Sequence, residues 1–159
     1  MSAIDKYLHA VIVQATREAR EDGSATIEAH HLLLAVAAEY EATTHQVLNT
    51  AGLDRRAIRD ALDREFEHSL QTVGVSPSAH ALPRPTPAAR QPKIGASAKL
   101  ALERSFASVG RKKDLRPAHL LVGILQAQVG TVPRALALAA VDQADLVSRV
   151  QQALSNQDL

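Results

Sequence analysis

The chain has 159 residues, 46% hydrophobic and 22% charged, enough for one conventional domain or two small ones sharing a core. It has no cysteine, which excludes disulfides, thiolate zinc sites and cysteine nucleophiles. With 3% aromatics and no Trp there is little on which single-stranded nucleic-acid bases could stack. Net charge is +1, yet residues 1–70 hold 7 Lys+Arg against 12 Asp+Glu, and residues 71–159 hold 11 against 5. Such an asymmetry can steer partners but does not set a fold.

From Ile4, apolar residues at Leu8, Val11, Ile12, Ala15 and Ala19 form one helical stripe, which Gly23 ends. Ala29 to Ala38, rich in Leu and Ala, predicts a buried second helix. Thr43 to Ala51 predicts a short third, with Gly52 suited to the left-handed residue after it. Asp54 is an expected N-cap, flanked by Leu53 and Ile58 at the positions of a hydrophobic staple, and a fourth helix runs to about Leu70. On it, Asp63, Glu65 and Glu67 alternate with Arg55, Arg56, Arg59 and Arg64, the composition of a solvated face laced with i to i+4 pairs.

The second half repeats this plan at a spacing of 88 residues. His31 and His119, Leu32 and Leu120, Leu33 and Leu121, Thr43 and Thr131, Leu48 and Leu136, and Ala51 and Ala139 are so related, and Val141, Asp142 and Leu146 repeat the staple. The expected fold is all-α: a pseudo-twofold tandem of two four-helix units, about eight helices. The units are residues 1–71 and 96–159, joined over 72–95 by a linker whose SPSAHALPRPTPAARQP favours extended chain.

The chemistry legible here is sparse. No phosphate-cradling G-x-x-x-x-G-K-[ST] occurs, and no serine lies in a G-x-S-x-G elbow. His30 and His31 are adjacent, so on a helix their side chains diverge by about 100°, which speaks against shared metal ligation. The recurrence of His31 at His119 suggests packing or helix-start hydrogen bonding. No enzyme, cofactor or metal is expected. No apolar run approaches the roughly 20 residues of a membrane span, and MSAIDKYLHA lacks a signal-peptide pattern, so a cytoplasmic protein is expected. The basic stretch 111–116, with Arg111, Lys112, Lys113 and Arg116, supports an alternative: a helical nucleic-acid-binding or regulatory protein.

ATREAR at Ala15–Arg20, HHLLLAV at His30–Val36, AKLALERS at Ala98–Ser105, AHLLVGIL at Ala118–Leu125, and the helix ends VLNTAGLD and ALALAAVD, in this order and duplicated, resemble the amino-terminal domain of Clp ATPases of the ClpA and ClpC type. The resemblance runs from Ile4 to about Leu154. It implies a non-catalytic protein- or peptide-binding module acting as adaptor, substrate-recognition or sequestering factor. The implied partners are Clp ATPase or protease subunits, client proteins and peptidic ligands, including cyclic peptide antibiotics.

Where that family reads Gly-Thr-Glu-His before the second helix of each unit, this chain has Glu28, Ala29, His30, His31 and then Arg116, Pro117, Ala118, His119. The missing Thr and Glu speak against the phosphoarginine recognition of the ClpC branch. The resemblance also implies a ligand groove between the first helix and the start of the second unit. Its members here are Ile12, Val13, Ile94, Lys99 and Glu103, with Ile94 where an aromatic is common. Lys99 and Glu103 are equally readable as an i to i+4 surface pair.

Overall fold

A computed structural model describes residues 1–74 and 90–158. Four helices, α1 (Ala3–Glu21), α2 (Ala29–Ala38), α3 (Ala42–Thr50) and α4 (Arg55–Thr72), form the first unit. Four more, α5 (Ala96–Ala107), α6 (Pro117–Leu125), α7 (Thr131–Leu138) and α8 (Gln143–Gln157), form the second. A 3-10 turn at Lys112–Asp114 interrupts the α5–α6 connection. Of the stretch expected as a linker, residues 75–89 lie outside the described residues. At its ends Thr72 closes α4 and Lys93–Ile94 form a strand.

The helix starts follow local chemistry. Ser2 Oγ accepts from the Asp5 N–H (3.2 Å) while Asp5 Oδ2 accepts from the Ser2 N–H (3.1 Å), a capping box that begins α1. Asp54 and Asp142 accept from Ala57 N–H (2.8 Å) and Asp145 N–H (3.0 Å), so the two predicted caps start α4 and α8. Gly23 and Gly52 take the left-handed conformation after α1 and α3, with φ of 68° and 73°.

Helices α2 and α6 are buried almost all round: His31 to Val36 in one, Leu120 to Leu125 in the other. That is why their sequences carry no polar face. They pack against each other at the centre, and their leucines join both units in one hydrophobic core. Around them, α4 packs on α7 and α8 on α3, so the fourth helix of each unit rests on the third of the other. This reciprocity is what a pseudo-twofold pair requires.

Two close approaches fix the pairing further. Thr26–Ile27 (β1) pairs in parallel with Lys93–Ile94 (β2), bringing the start of α5 beside the start of α2. Ser97 Oγ there accepts from the Ala29 N–H (2.8 Å) and donates to Glu28 Oε2 (3.0 Å). A Cβ at Gly95 would overlap the Glu28 carboxylate, and one at Gly123 would overlap Ser105 Oγ and the Ala101 carbonyl. The α5–α6 contact is therefore a backbone-to-backbone approach that only glycine permits.

Candidate functional site

The N-terminus of α2 is the polar centre of the first unit. His31, 1% exposed, accepts from the Glu28 N–H at Nδ1 (2.9 Å). Its proton therefore sits on Nε2, which donates to Asp22 Oδ2 (3.0 Å). His119 Nδ1 accepts from the Arg116 N–H (2.9 Å) in the same way. The recurring histidine is thus a helix-start device, satisfying one orphan N–H in each unit.

Asp22 extends this chain of hydrogen bonds into a partly buried ionic cluster centred on Glu18. Arg59 donates to Asp22 Oδ1 (3.1 Å) and Glu18 Oε2 (3.2 Å), and Arg55 Nε donates to Glu18 Oε1 (2.8 Å). Glu18 is fully buried, and Gln14 Nε2 supplies a further donor at 3.1 Å. Burial alone would raise the Asp22 carboxyl, but the His31 hydrogen bond and the Arg59 charge outweigh it and hold it below the usual range. The expectation of a solvated α4 face holds for Arg56, Asp63, Arg64 and Glu67, which are exposed, and needs correction for Arg55, Arg59 and Glu65. Arg55 and Arg59 turn inward to α1, and Glu65 is buried, accepting from Ser69 Oγ (2.8 Å) and Arg134 Nε (2.9 Å).

Asp22, His30 and His31 bring one potential ligand atom each to within 4.8 Å of one another, and the two imidazole centroids lie 4.1 Å apart. The adjacent histidines thus converge more than their helical spacing alone suggests. Chemistry, more than distance, opposes a metal here: both His31 nitrogens are committed, and ligation at Nδ1 would displace the Glu28 N–H while ligation at Nε2 would break the bond to Asp22 and displace the only ring proton.

His30 is different. It lines two solvent-open hollows, and burial above all pushes its imidazole down to about 4, so it is neutral at physiological pH. The first hollow, about 420 Å³, lies between α5 and the α6–α7 connection; its walls include Leu100, Ile124, Val129 and Val132, with Glu28 and Arg104 among its polar groups. Leu100 and Val129 are 45% and 85% exposed. The second hollow, about 370 Å³, is walled by Leu62 and Phe66 of α4 and by Asp22, Arg59, Asp63 and Glu65. His30 and Thr131 line both, so the hollows adjoin across these two residues, and together they are called the groove below.

None of the five residues expected to form a ligand site lines this groove. Ile12 is half-buried against the core, Val13 and Ile94 are partly exposed, and Lys99 and Glu103 are exposed. On α5 the groove takes Ser97, Leu100, Ala101 and Arg104, the face turned away from Lys99 and Glu103. Among the described residues those two form no ion pair within 4.0 Å, with each other or elsewhere. The basic stretch 111–116 is largely neutralised within the chain: Arg111 pairs with Asp114 (3.1 Å), Lys112 with Asp5 (2.7 Å) and Arg116 with Asp158 (2.9 Å).

The Clp repeat (R) N-terminal domain family matches residues 4–92, more than half of the sequence, and the chain belongs to that family. Comparison with curated proteins finds no match. Among solved structures, the N-terminal domain of the caseinolytic protease associated chaperone ClpD from Arabidopsis thaliana is similar, with a TM-score of 0.64 and 18% identity. The match covers 94% of this chain and 93% of that one. A chain from structural investigations of a malarial protein secretion system matches with a TM-score of 0.60 and 12% identity, covering 94% of this chain and 92% of the other. At these identities the likeness is one of fold, and it extends over both four-helix units. No helix of the described residues is long and apolar enough to cross a membrane.

Proposed function

We propose that the chain is a non-catalytic recognition module of a Clp ATPase–protease system, an adaptor or sequestering factor that holds a peptide segment of a client protein. The observation that carries this reading is the open groove at His30 and Thr131, whose first hollow leaves Leu100 and Val129 exposed to solvent beside Ile124 and Val132. Exposed apolar surface gathered in a concave site, with a few polar groups to orient a chain, is how peptide-binding clefts are built. His30, neutral and at the waist, together with the Thr131 hydroxyl, offers hydrogen bonds to a peptide backbone.

The Lys99 face of α5 supports a second reading. Ile94 leads into this helix, Val13 and Ile94 are 39% and 44% exposed, and Lys99 and Glu103 have no ion-pair partner among the described residues, which would suit a peptidic ligand such as a cyclic antibiotic. Opposite faces of one helix make the two readings separable. Labelled unfolded-client peptides, followed by fluorescence anisotropy, should lose about tenfold or more in affinity on Leu100→Asp and bind the double Lys99→Ala, Glu103→Ala variant as well as wild type. Loss with the double variant alone would move the site to the Lys99 face. Absence of binding to the unaltered chain would remove the recognition function.

A further inference from the structure

We propose that the groove selects an extended peptide that sets an unphosphorylated basic side chain in the hollow lined by Asp22, Asp63, Glu65 and Phe66, and a nearby apolar side chain in the hollow lined by Leu100 and Val129. The inference rests on the peptide-binding reading above and adds the chemistry of the occupant.

The second hollow sets acidic groups beside the apolar side chains of Leu62 and Phe66. The second hollow presents three carboxylates against one guanidinium, that of Arg59. Two of the carboxylates are engaged inward, Asp22 by His31 and Arg59, Glu65 by Arg134 and Ser69. Asp63 is not: its side chain is 69% exposed, and its ion partner among the described residues, Arg59, stands 3.9 Å away, beyond hydrogen-bond length. Three residues along α4, Phe66 is 60% exposed. Asp63 and Phe66 thus offer a cation a charged acceptor and an aromatic face together, and Leu62 can pack the aliphatic stem.

His30 adds no competing positive charge, being neutral near pH 7. A phosphoryl group on the incoming arginine would place a dianion among the same carboxylates, so the modified side chain is repelled where the free one is held. Because His30 and Thr131 line both hollows, the two subsites adjoin, as the basic and apolar side chains of one short peptide stretch require.

The test uses the full chain and three labelled peptides, identical except for Arg, Gln or Glu at one position among leucines. Anisotropy should rank them Arg, Gln, Glu, with about tenfold or more between first and last, and the spread should shrink as salt rises from about 50 mM to about 500 mM. Asp63→Lys, a change at an exposed position with circular dichroism as the folding control, should invert the order. Equal affinity for the three peptides, or an order unmoved by Asp63→Lys, overturns the inference. If the three bind equally and Leu100→Asp abolishes them all, the recognition function stands and only the selectivity falls. If none binds, both fall.

Discussion

Arg55 and Arg59 of the first unit reach the buried Glu18 and Asp22, whereas 88 residues later the same helix positions carry Gln143 and Val147. Gln143 Nε2 donates to the carbonyls of Leu125 (2.7 Å) and Ala127 (2.6 Å), closing the end of α6, and Val147 packs on the core. One scaffold is thus held by buried charge in one copy and by carbonyl capping and apolar contact in the other. The difference extends to the groove. His30 lies at its waist, and Ala118, its counterpart, is 1% exposed within the core. The fold tolerates either solution, so the polar groups concentrated around α2 are not a requirement of the architecture.

The largest expected effect that sharpens this contrast is at Glu18. Glu18 is the fully buried member of its ion cluster, while Arg55 and Arg59 keep 42% and 26% side-chain exposure, so Glu18→Ala should cost about 2–4 kcal/mol in urea unfolding, short of the loss for a wholly buried pair. Gln143→Ala, its opposite number in kind, should cost about 1 kcal/mol. Similar losses at the two sites would break the comparison.

A smaller effect concerns pH. With its imidazole held at about 4 in the folded chain against an ordinary 6.5, His30 takes up a proton more readily unfolded than folded, so stability should fall as pH drops from about 6.5 towards 4. The full loss is on the order of 2–3 kcal/mol. Thermal melts of His30→Gln should show a flatter profile over that window. His119, lowered mainly by burial and by Arg116, contributes in the same direction. The Asp22 contribution is distinct in sign and place: its depressed carboxyl stabilises above the ordinary aspartate range and is lost only below it.

The smallest effect is at a turn. Gly52 and Ala140 occupy equivalent positions and both have positive φ, 73° and 57°. The second unit thus places a Cβ where the first has none. Ala140→Gly should stabilise by about 0.5–1 kcal/mol, measured as a raised denaturation midpoint, and a lowered midpoint would show that the turn is unstrained.

Much of the fold was legible because its signals are local and doubled: apolar stripes, the Asp54 and Asp142 caps and the glycine after α3 each report on a few neighbouring residues. The strands β1 and β2, two residues each, are too short to leave an alternating pattern. Glu18 did leave a trace, since it stands beside Ala19 and one turn from Ala15 on the buried stripe, where a charge needs a partner. Its partners Arg55 and Arg59 were hidden in a helix whose i to i+4 charges equally describe a solvated face. The groove was not legible at all. Its wall combines α4, α5, the start of α2 and the connection around Val129, and only tertiary packing brings these together.

Peptide binding where the two hollows adjoin can be followed residue by residue. The measurement is a titration of an unfolded-client peptide into the isotopically labelled chain, with backbone amide shifts read by NMR. Shifts are expected at His30, Leu100, Val129 and Thr131, with Lys99, Glu103, Val13 and Ile94 little moved. Shifts confined to the latter four, or none anywhere at saturating peptide, would contradict binding at this site.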